Sequence, residues 1–242
     1  MDDPIVVAFA DTHVEAHDRN PPWLRATRDL SPDLVLVAGD LTEHGLVTEF
    51  RTFSDMLRSV TDAPALAVLG NHDIQACDVD MAASVLSESN IEVLAGATCH
   101  VDLNGARIGV AGTKGYWGGW PHSPVGYEEP SMRPCAEELR SECTILQAAL
   151  ERVERDAFSI AMLHYLPSAG GLQGEPPEVH NFLGADALGQ TLAGCRVDLV
   201  VHGHAHSGAP ISYIGATPVV NVAMPARRGR PLAVRLPKEG RS

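Results

Sequence analysis

Short apolar runs, each ending in a knot of polar residues, set the rhythm of this chain. Ile5 to Ala10 stops at Asp11-Thr12-His13, Leu34 to Ala38 at Gly39-Asp40, and Ala65 to Leu69 at Gly70-Asn71-His72-Asp73. Phe158 to Leu163 stops at His164, and Leu199 to Val201 at His202-Gly203-His204-Ala205-His206. Apolar runs of this length bounded by turn residues predict buried strands. Between the first three lie helical patterns. Trp23 to Asp29 has Pro22 near its start, and Val47 to Val60 carries Phe50, Phe53, Met56, Leu57 and Val60 at helical spacing. The β-α-β-α-β order predicts a parallel sheet with right-handed crossovers. Ligands of open α/β sheets bind at the C-terminal strand edge. Five runs delivering Asp, Asn or His to one sheet would build one polar cluster there.

The pattern then changes. Val79 to Ser87 reads as a helix, and Ile91 to Leu94 and His100 to Leu103 as strands. Asn104-Gly105 signals a hairpin, with Arg107 to Ala111 pairing back. Residues 113–132 have no period and place Tyr116, Trp117 and Trp120 among glycines. A loop this long in a compact domain reads as a mobile, ordered lid that closes over substrate or mediates a dimer. Ala136 to Arg155 is the longest helical pattern, and Pro167 to Phe182 a second Gly/Pro-rich loop. Gly184 to Ala193 reads as a short helix. Ile211 to Tyr213, Val219 to Val222 and Leu232 to Leu236 predict an antiparallel finish.

A chain of 242 residues predicts one domain, 1–242, with a sizeable core. No run of eighteen apolar residues predicts a membrane span. The opening lacks a charged n-region and an h-region, and the five scattered cysteines form no CxxC pair. A cytoplasmic protein with reduced thiols is the expectation. A formal net charge of −13 argues against long nucleic acid held on a basic surface. It leaves room for a small anionic substrate, because bound metals can be the largest charges in a site.

Asp, His and Asn donors without thiolates suit Mn, Fe, Zn or Co. Asp11 and His13, two apart at a strand end, can point into one crevice, and a carboxylate such as Asp40 can bridge two ions. Two ions about 3.5–4 Å apart can clamp a phosphoryl displacement, and a histidine left free of metal can protonate the leaving group.

At this point the chain resembles a family. Asp11-x-His13, Gly39-Asp40-x-x-Glu43-x-Gly45, Gly70-Asn71-His72-Asp73, His164 and Gly203-His204-x-His206 are similar to the five blocks of the calcineurin-like metallophosphoesterases, in order. The resemblance implies an α/β (α+β) fold, a four-layer αββα sandwich of two mixed β-sheets flanked by helices, and a dinuclear centre. One metal would take Asp11, His13 and His206, the other Asn71, His164 and His204, with Asp40 bridging. His72 would be the uncoordinated acid, and a metal-bridging hydroxide would attack without a phosphoenzyme.

His44 stands where the protein phosphatases of this superfamily carry arginine, and His72 where the lipid A pyrophosphatases tend to carry one. The blocks are more similar to bacterial cyclic-nucleotide and related phosphodiesterases. The expected function is hydrolysis of small nucleotide-type phosphodiesters, by a monomer or homodimer. A phosphomonoesterase or nucleotidase is the alternative, and a non-catalytic metal-binding scaffold a further one. Asn71, Lys114, Tyr116 and Trp117 are candidates for substrate contact; the loop aromatics equally suit anchoring the loop to the sheet. His202 reads as structural, and the run Arg227 to Arg230 as a solvated surface. Gly39, Gly70 and Gly203 read as backbone requirements.

Overall fold

A computed structural model describes residues 3–124 and 129–236. The first half runs β1 (Ile5–Phe9), α1 (Pro22–Leu30), β2 (Leu34–Ala38), α2 (Val47–Arg58), β3 (Ala65–Val68), α3 (Val79–Ser87) and β4 (Ile91–Val93). Next come β5 (Ala97–Leu103), β6 (Ala106–Thr113), β7 (Gly119–Trp120), β8 (Ser123–Pro124) and α4 (Arg133–Leu150). The chain continues through β9 (Phe158–Leu163), α5 (His180–Leu183), α6 (Asp186–Ala193), β10 (Leu199–His202), β11 (Ile211–Ile214), β12 (Thr217–Asn221) and β13 (Leu232–Arg235).

These strands build two main sheets. The first has the order β13-β1-β2-β3-β4 and is parallel except for β13; the second has the order β11-β12-β10-β9-β6-β5. The period-two alternation of each strand divides its side chains between two cores. Val7 and Phe9 face α1, α2 and α3, while Val6, Ala8 and Ala10 face the other sheet. Ile160 and Met162 face the first sheet, while Ala161 and Leu163 pack under α4 and α6. Helix, sheet, sheet and helix therefore stack as four layers. In α2, Phe50, Phe53 and Leu57 form the buried stripe, and Glu49 accepts from the backbone N–H of His44 and Leu46 at 2.9 and 3.2 Å, fixing the helix start.

The five strand ends that deliver Asp, Asn or His do not share one sheet. β1, β2 and β3 lie in the first and β9 and β10 in the second, so the polar cluster forms where two C-terminal edges face each other. The antiparallel finish holds for β11 with β12 and for β13 with β1, but β12 runs parallel to β10. Asn104 and Gly105 both have positive φ, at 50° and 88°, as the predicted hairpin between β5 and β6 requires.

The sheets are tied together at this edge. Ala10 donates its N–H to Val222 O at 3.0 Å, and Met224 donates to Ala10 O at 2.9 Å. Along the side of the sandwich where the edge strands β4 and β5 lie, a groove of about 820 Å³ is lined by Pro64, Ala65, Leu66, Ile91, Cys99 and Val101 among others. Among the described residues, no helix is long and apolar enough to cross a membrane.

Candidate metal centre

The turns that follow β1, β2 and β10 are strained at the residues that carry the chemistry. Asp11, His13, Asp40 and His204 have φ of 56°, 47°, 49° and 66°, in the left-handed region that L-residues avoid. Surrounding contacts hold them there. His204 N–H donates to Asp11 Oδ2 at 3.0 Å, and His72 N–H donates to Asp40 Oδ1 at 2.9 Å. Asp73, fully buried, accepts from Leu41 N–H, Thr42 N–H, Thr42 Oγ1 and Gly70 N–H at 3.2, 2.9, 2.8 and 2.9 Å, strapping the β2 turn to the β3 turn. Burial and the nearby Asp40 charge push Asp73 up to about 6.

Of the four block glycines, Gly39 and Gly45, with φ of 88° and 71°, need backbone freedom, while Gly70 and Gly203 are required for space. A Cβ on Gly70 would lie 2.1 Å from Asp40 Oδ1, and one on Gly203 2.5 Å from Asp11 Oδ2.

The ligand-type atoms converge in three overlapping groups, Asp11–His13–His206, His13–Asp40–His72 and Asp40–His164–His204, each within 4.8 Å. Asn71 joins them through Oδ1, 3.0 Å from His164 Nε2. His206 Nε2 lies 2.9 Å from Asp11 Oδ1, which raises the His206 pKa. Burial would lower His164, but the adjacent Asp40 carboxylate outweighs it and pushes the imidazole up to about 9. Burial would raise Asp40; His164 instead holds it well below the usual carboxylate range. Burial, aided by His164, pushes His204 down to about 4.

Three imidazoles, those of His72, His164 and His204, are held from outside the cluster by a hydrogen bond to one ring nitrogen, and the His13 Nδ1 has a close carboxylate without hydrogen-bond geometry. Glu43 Oε2 lies 2.9 Å from His13 Nδ1, and Glu43 O accepts from His72 Nδ1 at 2.7 Å. Ala38 O accepts from His164 Nδ1 at 3.0 Å, and Phe182 O from His204 Nε2 at 3.3 Å. Such outer partners fix the tautomer and aim the other nitrogen inward, as metal-binding histidines need. His13 Nε2 is buried without a hydrogen-bond partner, 4.0 Å from Asp11 Oδ1 and 3.8 Å from Asp40 Oδ2. An orphaned imidazole nitrogen between two carboxylates fits a divalent cation. The oxygen and imidazole donor set fits the same class of ion.

His202 is fully buried, with Nδ1 2.8 Å from Gly203 O and a pKa pushed down to about 4 by burial, which suits a neutral structural histidine. The loop residues lie to the side of the cluster. Lys114 gives its carbonyl to the N–H of His164 at 3.0 Å, while its Nζ sits 4.7 Å above the Tyr116 ring and 3.6 Å from Glu138 Oε1. Tyr116 stacks on Trp117 at 5.5 Å, and Tyr165 stands 4.6 Å from the His204 ring. Trp120, 1% exposed, donates from Nε1 to His180 O at 2.9 Å, and Gly118 and Gly119 both donate to Gly184 O. The first part of the segment read as a lid is thus fastened to the loop before α6; residues 125–128 lie outside the described residues. The sequence pattern leaves open what Glu43 does and does not single out Asp73, Tyr165 or Phe182 as site residues. Asp73 and Glu43 sit within the recognised blocks and Tyr165 directly follows His164, whereas nothing around Phe182 signals a site.

A sandwich that gathers carboxylates, imidazoles and an amide at two facing strand edges is built to hold metal ions. Residues 5–208 match the family model of the calcineurin-like phosphoesterases, and the chain belongs to that family. A Caenorhabditis elegans protein, F40B5.2, provisionally named a metallophosphoesterase, is 25% identical over 93% of this chain. The chain spans about 40% of that relative's length. The phosphopantetheinyl hydrolase of Mycobacterium tuberculosis has a similar structure, with a TM-score of 0.68 at 16% identity over 99% of this chain and 98% of that one. TT1561 of Thermus thermophilus follows with a TM-score of 0.55 at 17% identity over 96% and 99%. A Staphylococcus aureus protein provisionally named a 5′-nucleotidase gives a TM-score of 0.60 at 15% identity over 90% of this chain and 48% of that one. At these identities the likeness is one of fold.

Proposed function

We propose that residues 1–242 form one catalytic domain that hydrolyses small phosphodiesters of nucleotide type with two divalent ions. The observation that carries this reading is the convergence of Asp11, His13, Asp40, Asn71, His164, His204 and His206 around an orphaned His13 Nε2. In the proposed assignment Asp11, His13 and His206 hold one ion, Asn71, His164 and His204 the other, and Asp40 is shared. The bound ions supply an activated water and neutralise charge on the phosphoryl oxygens.

The chain's own groups do the rest. With Nδ1–H given to the Glu43 carbonyl, Nε2 is the free ring nitrogen of His72, and from the imidazolium form it passes its proton to the departing alkoxide. Glu43 positions two histidines at once, by its carboxylate and by its carbonyl. Asn71, Lys114, Tyr116 and Trp117 are proposed to border the substrate, with Lys114 held over Tyr116 as a cation behind the wall. Among the described residues, no Arg or Lys side chain pairs with a member of the cluster. That balance suits a diester, with one negative charge, better than a doubly charged monoester.

The test is hydrolysis of bis-p-nitrophenyl phosphate against p-nitrophenyl phosphate, after chelation and with Mn²⁺ restored. Preference for the diester and return of activity with metal are expected. Cleavage of the monoester alone would overturn the diester reading in favour of a phosphomonoesterase. Metal binding without turnover of either would favour a scaffold.

A further inference from the structure

Phe182 is a residue that the chemistry above leaves unexplained. It is 56% exposed, on the four-residue helix α5. A ring this exposed forgoes much of the burial that draws phenylalanine into a core. Yet the position is built. Its carbonyl lies 3.3 Å from His204 Nε2, and its ring packs 5.5 Å from Trp117. The neighbouring Leu183 gives its carbonyl to Leu166 N–H at 2.9 Å, and the His180 carbonyl accepts from Trp120 at 2.9 Å. The backbone on both sides of Phe182 is therefore fixed, while the ring leans on Trp117 and stays open to solvent on its remaining surface.

The aromatics form a closed arc beside the cluster. From His204 the rings step to Tyr165 at 4.6 Å, to Tyr116 at 6.0 Å, to Trp117 at 5.5 Å and to Phe182 at 5.5 Å, whose carbonyl returns to His204. Tyr165 is buried and Trp117 half-buried, so the arc opens to solvent at Phe182. A rigid, exposed aromatic tied by its own backbone to a cluster histidine is suited to cover a flat ring delivered with the phosphate.

We propose that Phe182, backed by Trp117, is a stacking platform that selects phosphoesters carrying a planar aromatic group, a nucleobase above all, over esters of sugars or alkyl alcohols. The proposal rests on the phosphoester reading above for where the phosphate sits. Stacking of one base on an aromatic side chain contributes about 1–3 kcal/mol, or roughly five- to 150-fold in affinity.

The test uses the Mn²⁺-loaded protein with adenosine 5′-monophosphate and ribose 5-phosphate as paired probes, which differ only in the base. Affinities are read by calorimetry, and metal content is measured for every variant. The wild-type protein is expected to prefer adenosine 5′-monophosphate about tenfold or more, within the range a single stack allows. Phe182→Ala and Phe182→Leu should drop the nucleotide to the level of ribose 5-phosphate, and Phe182→Trp should restore the preference. Phe182→Leu keeps an apolar side chain and the backbone carbonyl, so its failure isolates the aromatic face. Equal binding of the two probes to wild type, or a preference that survives both Phe182→Ala and Phe182→Leu, overturns the platform. A base preference in a protein that hydrolyses no phosphoester would retain the platform and sink the catalytic reading. Hydrolysis without base preference would do the reverse.

Discussion

The turns after β1, β2 and β3 and the two loops around Trp120 and Phe182 border the same cluster but are made on opposite principles. The turns are short; those after β1 and β2 hold Asp11, His13 and Asp40 in strained backbone, and buried carboxylates and glycines with no room for a methyl group lock them to the turn after β3. The loops are long, and are fastened by an indole, a few backbone hydrogen bonds and ring stacking. The turns fix atoms to fractions of an ångström, which metal ligation demands. The loops set the shape of a wall, which can change without moving the ligands. In the proposed reading, reaction and selectivity thus rest on separable parts of one site.

The contrast can be broken most severely at Asp40. Loss of an outer-shell partner costs about 10–100-fold in metal affinity, and a carboxylate belonging to two ligand groups should cost more. Asp40→Asn is expected to leave the desalted protein depleted of both ions, by metal analysis; two ions retained at full affinity would remove the bridging role. His72→Ala comes next. It should keep its metal and lose about 10²–10⁴-fold in turnover, with a smaller loss for a p-nitrophenol leaving group, which scarcely needs a proton. Unchanged turnover of an alkyl ester would end the acid assignment.

Trp120→Ala addresses the loops. Removing a buried tryptophan costs about 3–5 kcal/mol, and here the cost should fall on the fastening of residues 113–124 to the loop before α6. Faster proteolysis within these loops and a raised KM, with metal content intact, would sharpen the division. Loss of metal as well would show that the loops support the ligands.

The smallest effect is a proton count. His164 is raised to about 9 in the metal-free protein. Its pairing with Asp40 therefore stabilises the fold fully below its ordinary value near 6.5, and that contribution is lost as pH rises through 9. At pH 7 the imidazole carries a proton that must leave before it can ligate. Loading Mn²⁺ at pH 7 should release about one proton, falling toward zero above pH 9–10. Calorimetry in two buffers of different ionisation heat measures it, and no release at pH 7 would contradict the His164–Asp40 pairing.

How much of this is readable in the sequence follows the same divide. Ile5 to Ala10 and Phe158 to Leu163 announce themselves as strands because a run buried on both faces has no polar interruption. Their polar ends mark the ligand turns, since nothing about reversing a chain calls for histidine. Which sheet each strand joins is not readable from the runs alone, because parallel pairing leaves no local mark. Nor can spacing tell that Gly70 and Gly203 are needed for room beside Asp40 and Asp11, residues distant in sequence. Phe182 is invisible for the same reason. Its importance comes from a carbonyl meeting His204, 22 residues on, and from a tryptophan in another loop.

The ties through Ala10 have a mechanical consequence. The sheets are joined by backbone hydrogen bonds through Ala10 beside the cluster, whereas the edge strands β4 and β5 flank an open groove beside Ile91 and Val101. Thermal breathing of such a sandwich works like a hinge and jaw, with little travel at the hinge and most at the jaw. Amides of β4 and β5 should exchange with solvent before those of β1 and β10, and under pressure water should enter the jaw first. A protein jointed in this way can loosen along one edge while the spacing of the cluster's side chains stays constant.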